Sequence, residues 1–384
     1  MSWHDDDDAR DLVRLVRDFV QERVLPVVNK YEHADRYPRP LVEQMAELGF
    51  FGLTIPEEYG GSGVSASVYT QVVEEICVGW MSLAGVINSH LIMANIIERF
   101  GTLAQKQEYL PRMATGDFRG ALGLSEADAG SDAAAIRTTA VRDGDEYVIN
   151  GSKLWVTNGR HGSGMIVAVK TDPSAEPARD GISLFIVEHG QGYEVQRDHD
   201  KLGYKGVETC EVVFHEMRVD SAKLVGGREG EGFVQVLAGL ELGRVNVAAR
   251  AVGVARAAFE HALAYAQQRE TFGKPIAQHQ TVQNQLADMA TNLRAARLLT
   301  RSAAEKLDRG ERADLEAGMA KLFASEVAAS NALTAMRVHG GFGFTKEFSV
   351  ERFYRDAPLM LIGEGTSEIQ RLIIARRLLK GGQQ

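Results

Sequence analysis

One carboxylate near the C-terminus lies between two glycines, in Gly363-Glu364-Gly365, directly before a run of helix-forming residues. Glycine lets the backbone approach a ligand closely and adopt turns closed to other residues. Thr366 or Ser367 can cap the helix that follows. Glu364 is therefore a candidate general base held on a rigid loop, and the alternative is a helix-capping turn with a solvated glutamate.

Four other loops carry residue types suited to a planar or anionic ligand. Residues 124–132 offer hydroxyls and freely oriented N–H groups, and residues 155–159 set an indole beside a hydroxyl at a turn. Residues 269–275 end a helix with basic side chains suited to a pyrophosphate, and residues 339–344 are a glycine-rich break between helices. Taken singly, each also fits an ordinary role, as a linker, a core tryptophan, a helix terminus or a tight turn.

Composition narrows the class of protein. The chain has 384 residues, of which 45% are hydrophobic and 25% charged, enough for a core shared by two or three domains. Its net charge of -9 comes without a basic tract interleaved with aromatics, which argues against a nucleic-acid partner. Cys77 and Cys210 form no CxxC pair, so we expect neither a disulfide framework nor a zinc site.

Several common signatures are absent from the sequence. GxGxxG, GxxxxGK and HExxH do not occur, which disfavours a Rossmann site, a P-loop and a zinc protease site. The N-terminus, with aspartates at residues 5–8, lacks the basic-then-apolar order of a secretory signal, and no apolar run has membrane-spanning length. We therefore expect a soluble, unprocessed, cytoplasmic protein with no metal and no integral membrane association.

Hydrophobic periodicity predicts helices at both ends of the chain. Residues 1–118 carry apolar side chains at helical spacing, Pro26 bends or ends the first helix, and a mostly apolar stretch runs over residues 72–100. Residues 227–384 are rich in Ala, Leu and Arg with the same periodicity. They predict a bundle of four or five long helices.

The hydrophobic periodicity changes from helical to strand-like in the middle of the chain, over residues 119–226. Strand-like runs alternate there with three hairpin-type turn signals, Asp143-Gly144, Asn150-Gly151 and Asn158-Gly159. This pattern predicts a compact antiparallel β domain, a barrel or sandwich, between the two helical domains.

The motifs have a recognisable joint order. Read together, they resemble the successive motifs of the acyl-CoA dehydrogenase family over nearly the whole chain, at residues 122–131, 155–157, 241–244, 269–272, 337–341 and 364–366. The resemblance implies an N-terminal helical domain, a middle antiparallel β-barrel and a C-terminal four-helix bundle. It also implies FAD between the β domain and the bundle, with part of the site supplied by a neighbouring subunit, most simply in a homotetramer.

The resemblance assigns roles residue by residue. Leu122 opens the loop that holds the flavin ring, and Ser131 in that loop also edges the CoA site. Trp155 and Thr157 match the opposite face of the ring, Arg269 and Thr271 match positions that reach the FAD pyrophosphate across a dimer interface, and Arg337 matches a cross-subunit contact to the adenosine half. The remaining positions assigned to FAD are Leu124, Ser125, Gly130, Val156, Phe272, His279, Gln280, Val338, His339, Gly340, Gly341, Thr366 and Glu368.

The chemistry of the family follows from the same resemblance. Glu241, Arg244 and Gly365 match acyl-CoA contacts, and Glu364 matches the general base that removes the thioester α-proton. The carbonyl oxygen receives hydrogen bonds as enolate charge develops, hydride leaves the β-carbon for the flavin, and trans-2-enoyl-CoA forms. Burial is expected to raise the pKa of Glu364. The implied setting is fatty acid β-oxidation, with an electron-transfer flavoprotein as acceptor.

Departures from the common family pattern carry information. Ser125 replaces the usual Thr and keeps its hydroxyl, Ala127 replaces Pro, and Arg337 replaces Gln and adds a charge. Gly363 stands where many straight-chain members have Tyr, so we expect a wider cleft beside the acyl α-carbon. Gly243 stands where some long-chain and isovaleryl-type members place their base, which leaves Glu364 as the base.

Two alternatives stay open from the sequence. An oxygen-using enzyme on the same fold, an acyl-CoA oxidase or a flavin monooxygenase, shares most of these motifs. A non-catalytic scaffold or acyl carrier-protein partner is the other, although Glu364 and every flavin loop are retained. The acyl chain cannot be read from the sequence, and the cavity floor is expected around Met81, Ser82 and Gly85.

Overall fold

The N-terminal part is helical in the computed structural model, which describes residues 7–381. Residues 1–6, with the start of the acidic N-terminus, and residues 382–384 lie outside the described part. A single π-helical turn at Val20–Val24 follows the first helix and leads into Pro26. The helices are α1 (Asp7–Phe19), α2 (Val28–His33), α3 (Arg39–Glu47), α4 (Ala66–Gly79), α5 (Met81–Phe100) and α6 (Leu103–Thr115).

The apolar stretch that periodicity predicts is two helices, because α4 ends at Gly79 and α5 begins at Met81. Trp80 between them is extended, at φ -160° and ψ 109°, and fully buried. A side chain at Gly79 would place its Cβ 2.6 Å from Val20 Cγ1. The glycine therefore lets the end of α4 pack closely against the N-terminal segment. The break turns α5 across the interior, where most of its residues are buried.

The middle part is one seven-stranded sheet with strand order β1-β4-β2-β3-β7-β6, and β5 pairs with β4. Most pairings are antiparallel, as predicted, but β1 and β2 each pair with β4 in parallel. Parallel neighbours are joined by long crossovers that leave no local turn signal, which is why the sequence pattern did not reveal them. The strands are β1 (Gly120–Gly123), β2 (Thr139–Asp143), β3 (Glu146–Thr157), β4 (Gly164–Lys170), β5 (Ile182–Glu188), β6 (Tyr193–Asp198) and β7 (Thr209–Asp220).

Only one of the three predicted hairpin turns is a hairpin. Asp143-Gly144 joins β2 to β3, which pair antiparallel. Asn150-Gly151 lies inside β3, at a register shift against β7, and a Cβ at Gly151 would fall 2.5 Å from Thr138 Oγ1. That glycine therefore marks a bulge where another chain segment approaches closely. Asn158-Gly159 is a turn after β3, and the Asn158 amide donates to the carbonyls of Val86 and Gly120.

The C-terminal part contains five helices, consistent with the prediction. They are α7 (Gly232–Gln268), α8 (Gln280–Asp308), α9 (Asp314–His339), α10 (Val350–Ile362) and α11 (Ser367–Gly381). α7 and α9 pack along each other, α8 joins them, and α10 and α11 pack on α9. Two short strands, β8 (Glu270–Thr271) and β9 (Lys274–Pro275), form a hairpin between α7 and α8.

Two hydrophobic cores hold these parts together. One joins the N-terminal and C-terminal helices and includes Leu184 and Ile186 of β5, whereas the other lies inside the sheet around Tyr147, Phe185 and Phe214. Burial on this scale supplies most of the driving force for folding. Among residues 7–381, no helix combines the length and apolarity needed to cross a lipid bilayer. The helix–strand–helix order is confirmed, and the boundaries at residues 118 and 226 stay predictions.

Candidate functional site

The loop that carries Glu364 is held in an unusual backbone conformation. Glu364 has φ +54° and Gly365 has φ +91°, both in the left-handed region. The carbonyl of Gly365 accepts hydrogen bonds from Lys321 Nζ at 2.7 Å and from Gln370 Nε2 at 3.0 Å. Thr366 Oγ1 accepts from Ile369 N at 3.3 Å and caps α11, as predicted. A non-glycine residue at positive φ is costly and is retained where the surroundings enforce it.

The Glu364 carboxylate points into the interior between α5 and α7. Asn88 Nδ2 donates to Glu364 Oε1 at 2.6 Å. The other oxygen, Oε2, is buried and has no hydrogen-bond partner in the described part of the chain. A Cβ on Gly243 would fall 2.2 Å from that oxygen, so the carboxylate occupies the space that the missing side chain leaves. One oxygen is thus positioned and the other is left open to accept a proton.

Burial raises the pKa of Glu364 above its ordinary value, as the sequence predicts. The positive charge of Arg250, the Asn88 hydrogen bond, and the charges of Lys321 and Arg244 oppose this shift, in that order. Although the residue keeps some exposed surface, its carboxylate lies among buried groups, and the environment of the carboxylate sets the direction. A carboxyl group with a raised pKa matches the requirement of a general base near neutral pH.

Three buried cations surround this carboxylate. Lys321 on α9 donates to the carbonyls of Leu361 and Gly365, and burial lowers its pKa to about 8. Burial lowers the pKa of Arg244, while Glu241 on the same turn opposes the shift. Neither Arg244 nor Arg250 donates a hydrogen bond to any residue in 7–381, and the Nε atom of each is buried. The substrate contacts predicted at Glu241, Arg244 and Gly365 therefore lie beside the predicted base.

The two predicted flavin loops lie together at one end of the sheet. The N–H of Leu154 donates to Ser125 O at 2.9 Å, and Lys153 Nζ donates to Leu124 O at 3.1 Å. Lys153 is fully buried and pairs with Glu126 at 2.7 Å. Glu126 also accepts from the N–H groups of residues 137 and 138. This buried pair fixes the loop at residues 124–132 against the end of β3.

Each loop leaves polar or aromatic surface uncovered. Trp155, at φ +64°, keeps 58% of its surface exposed and stacks obliquely on His199 at 4.4 Å. Gly130 and Ser131 are exposed as well. The Val156 side chain is fully buried in the sheet core, so only its backbone can reach a ligand. An exposed indole beside hydroxyl-bearing loops fits a planar heteroaromatic ring.

A cavity of about 510 Å³ at the other end of α7 collects most of the remaining predicted residues. Arg269 and Thr271 line one side and residues 338–342 line the other. Thr271 Oγ1 and His279 Nε2 are 3.3 Å apart. His339 is buried, stacks on Tyr265 at 4.2 Å and bonds to the Ala335 carbonyl, so its ring serves packing. The structure thus brings two motifs that are distant in the sequence to one cavity.

The side chains around this cavity are exposed, and its two arginines have no carboxylate partner within residues 7–381. Phe272 is 96% exposed at φ +51°, and Gln280 beside it is exposed. Arg269 and Arg337 are exposed, and neither has a carboxylate partner within residues 7–381. Unpaired guanidinium groups suit a pyrophosphate or phosphate. At the other end of the molecule, Glu368 is exposed in the first turn of α11, beside Thr366.

The two sites are far apart in one chain. Gly243 lies beside the base and Arg269 caps the end of the same helix, 26 residues later. At 1.5 Å per residue, this part of α7 is about 39 Å long. The base loop and the cavity at Arg269 are therefore separate sites within one chain.

Sequence reasoning missed several residues around the base. Asn88 is a polar residue on the mostly apolar helix α5, and Arg250 is the single charge within the Ala- and Val-rich run at residues 245–255. The single charge in an apolar run was a signal that could have identified Arg250. Asn88, by contrast, is followed by two further polar residues, Ser89 and His90, and does not stand out. Lys321 offered no such signal, because only the packing of α9 brings it to the base loop.

The residues present fit a flavin cofactor. The chain offers an exposed indole, hydroxyl-bearing loops fixed by a buried ion pair, and a separate cavity with unpaired guanidinium groups. These features suit the ring and the phosphates of FAD. The individual roles of these residues stay predictions.

Family profiles match most of the chain. The acyl-CoA dehydrogenase N-terminal domain matches residues 6–117, the middle domain residues 121–217, and the C-terminal domain residues 230–379. An acyl-CoA dehydrogenase of Bacillus subtilis (strain 168) is 42% identical over 370 residues, which cover 96% of this chain and 97% of that protein. The resemblance seen in the motifs is thus confirmed.

Solved structures agree with the profiles. Butyryl-CoA dehydrogenase from Megasphaera elsdenii superposes with a TM-score of 0.95 at 35% identity, covering 99% of this chain and 100% of that chain. A chain from work on the electron transferring flavoprotein of Acidaminococcus fermentans and flavin-based electron bifurcation gives a TM-score of 0.95 at 37% identity, with the same coverage. The chain therefore belongs to the acyl-CoA dehydrogenase family, whose members are flavin-dependent oxidoreductases.

Proposed function

We propose that this protein catalyses the FAD-dependent α,β-dehydrogenation of an acyl-CoA thioester to a trans-2-enoyl-CoA. One observation carries the proposal. The Glu364 carboxylate is buried against Gly243, one oxygen accepts a hydrogen bond from Asn88, and the other oxygen has no partner among the described residues. A family relative without this arrangement would lack a positioned base. The arrangement argues against a purely structural or scaffolding role.

The residues of the chain account for proton removal. Glu364 in its carboxylate form takes the α-proton, and its raised pKa makes it a stronger base than an exposed glutamate. We assign the backbone N–H of Glu364 to the thioester carbonyl, where it stabilises negative charge that develops as the proton leaves. The strained backbone at Glu364 keeps the N–H and the carboxylate in one fixed relation.

FAD is the proposed cofactor. The loop at residues 122–131 and the segment 155–157 would hold the flavin ring, with Thr366 and Glu368 near it. When bound, the flavin accepts the β-hydrogen as hydride, a two-electron chemistry that no side chain supplies. Buried Lys153 and Glu126 keep the two loops in register.

An oligomer is part of the proposal, because the Arg269 end of α7 is about 39 Å from Gly243. We assign the cavity at Arg269 and residues 338–342 to the FAD of a neighbouring subunit. A homotetramer built as a dimer of dimers satisfies this with two-fold interfaces. Exposed Phe272 is then buried at the interface.

An electron-transfer flavoprotein is the proposed acceptor, and a cytoplasmic location and a role in fatty acid β-oxidation remain proposals. The structural similarity to a chain studied with such a flavoprotein supports this choice of acceptor. Oxygen consumption during turnover would instead indicate an oxidase.

The test has three measurements on the purified holoprotein. Heat-released cofactor should identify as FAD, and recovery of FMN would contradict the cofactor assignment. Anaerobic mixing with a panel of saturated acyl-CoAs should bleach the flavin for at least one of them. Turnover should then reduce a dye or an electron-transfer flavoprotein without consuming oxygen. A flavin that no acyl-CoA reduces would contradict the proposed reaction.

A further inference from the structure

Arg250 is a buried arginine that has no hydrogen-bond acceptor among residues 7–381. It lies in the middle of α7 with 4% of its surface exposed. A guanidinium carries five N–H donors, yet this one donates to no residue in the described part of the chain, and its Nε is fully buried. Buried Arg352, by contrast, donates to Asn29 Oδ1 and to the Gly79 carbonyl, each at 3.0 Å.

Arg250 lies on the side of α7 that faces the base. It follows Gly243 by seven residues, which is two helical turns, so both side chains project from the same face. Side chains on a helix lean towards its N-terminus, and the stem of Arg250 therefore leans back towards Gly243. Glu364 rests on Gly243, and Arg250 is the largest influence opposing the rise in the pKa of Glu364.

The walls around this guanidinium are polar and aromatic. Arg250 Cζ lies 5.5 Å from the centre of the Tyr204 ring. The Tyr204 hydroxyl packs directly against Gly85, where a Cβ would fall 1.6 Å from it. Asn246 donates to the Tyr69 hydroxyl at 2.7 Å, while its own Oδ1 is buried without a partner. Buried polar groups that lack partners suit a polar or charged end of an acyl chain better than an apolar one.

The charges around Arg250 also favour an anionic ligand. Arg244, Arg250 and Lys321 are three buried cations, and Glu364 is the carboxylate that all three share. Glu241 and Asp314 also act on Arg244, and Glu368 also acts on Lys321. The cation–π contact with Tyr204 offsets only a small part of the cost of burying a guanidinium. An anion bound beyond the base would complete the site.

We propose that the acyl group of the substrate ends in a carboxylate, which Arg250 binds. The substrate is then the mono-CoA thioester of a short dicarboxylic acid. The inference rests on the proposed function and adds the substrate class.

The length of the acyl chain follows from the helix. Two turns of α7 rise about 10 Å, and the Arg250 side chain covers part of that distance. The span suits a diacid of about four to six carbons. The Cα–H and Cβ–H bonds break and a C=C bond forms. Glu364 takes the α-proton, the flavin of the proposed function takes the β-hydrogen with its electron pair, and the distal carboxylate is unchanged.

The wild-type enzyme tests this without any variant. Glutaryl-CoA and 5-methylhexanoyl-CoA differ only in that an isopropyl group replaces the terminal carboxylate, and succinyl-CoA and 4-methylpentanoyl-CoA form a shorter matched pair. We expect kcat/KM for the better dicarboxylic thioester to exceed that of its neutral match by at least about 100-fold, because a site built for a charged partner rejects an analogue that lacks it. Equal rates, or a preference for the neutral thioesters, would overturn the inference.

The Arg250→Met variant assigns the preference to one side chain. It should lower the ratio of kcat/KM on the dicarboxylic thioester to kcat/KM on its neutral match by about 100-fold or more. Both rates are compared on the pH plateau of the variant, because loss of Arg250 also raises the pKa of Glu364 and shifts the acidic limb for both substrates. Arg256→Met is the matched control, since Arg256 lies on the same helix but pairs with Glu75 and Glu260, and its substrate ratio should match wild type. If Arg250→Met does not fold, as judged by flavin content, Arg250→Gln replaces it. A wild-type ratio in a folded Arg250 variant would overturn the inference.

Failure of the inference differs from failure of the proposed function. Flavin reduction by neutral acyl-CoAs alone would overturn the dicarboxylate inference and leave the dehydrogenase assignment intact. No reduction by any thioester in the panel would overturn both.

Discussion

The two ends of α7 are built in opposite ways. Around Gly243 the base is buried, hydrogen-bonded through Asn88 and surrounded by three buried cations. Around Arg269 the groups are exposed, the guanidinium groups lack carboxylate partners within residues 7–381, and Phe272 is 96% exposed. The groups around Glu364 come from one chain, whereas the groups around Arg269 form an open surface. Under the proposed function, proton removal depends on one subunit and FAD retention depends on the oligomer.

The largest effect, a loss of turnover, is expected from a substitution at Glu364 in the buried region around Gly243. Glu364→Gln keeps the shape and the Asn88 contact but removes the base, so turnover should fall by ~10²-fold to 10⁴-fold or more. FAD content and acyl-CoA binding should be unchanged, which equilibrium titration and the flavin spectrum measure. Near-wild-type turnover would move the base elsewhere, with Glu241 tested next.

A substitution in the exposed region around Arg269 should weaken the binding of FAD. Arg269→Met would remove the proposed charge-assisted contact to the FAD phosphates. Such a contact is worth about 1.5 to 3 kcal/mol, so FAD affinity should fall by about 10-fold to 100-fold. Arg301→Met, which removes an exposed pair with Glu305 on α8, is the control. Light scattering on the holoprotein should show a tetramer. A fully active, FAD-loaded monomer would rule out the cross-subunit assignment.

A moderate effect is expected at Gly363, on the rim of the buried end. A Cβ there would meet Leu359 O at 3.2 Å and Leu359 Cδ1 at 3.7 Å, so a side chain fits with a small adjustment. Gly363→Tyr should lower kcat/KM for an acyl-CoA branched near the α- and β-carbons more than for a straight chain of equal carbon number, by roughly 1 to 3 kcal/mol. Equal losses on both would assign Gly363 to backbone geometry.

The smallest effect is expected at Asn88, which contacts Glu364 and affects its pKa. Asn88 stabilises the charged form of Glu364, so Asn88→Leu should raise the pKa of Glu364 further. Because the base works only when deprotonated, the acidic limb of the kcat/KM profile should move to higher pH, by up to about one unit or about 1.4 kcal/mol. Asn95→Leu on the same helix is the control. An unmoved limb would show that the Asn88 contact does not tune the base.

Motifs that act through the backbone or at chain turns could be predicted from the sequence. Glycines flanking Glu364 and the Thr366 cap were recognisable because local geometry demands those residue types. Helical and strand periods likewise gave the helix–strand–helix order. Asn150-Gly151 was misread because a bulge and a hairpin use the same residues, and only the approach of Thr138 distinguishes them.

The surroundings of the base could not be predicted. Asn88, Lys321 and Arg250 lie on three different helices, and the partner of each is set by tertiary packing. Periodicity places a residue on a helix face but does not say which face meets which. The separation of the Glu364 site and the Arg269 cavity along α7 could not be predicted for the same reason. Motifs that serve one cofactor in the family pattern need not lie close together in one subunit.

The contact between Glu364 and Gly243 also constrains how this enzyme can change. Any side chain at residue 243 would collide with the carboxylate, since even a Cβ lies 2.2 Å from Oε2. The two positions therefore compete for the same space, and a Gly243→Glu substitution would force the Glu364 carboxylate to leave its present place. Moving the base to α7 is thus coupled to a change in the conformation of the loop side chain.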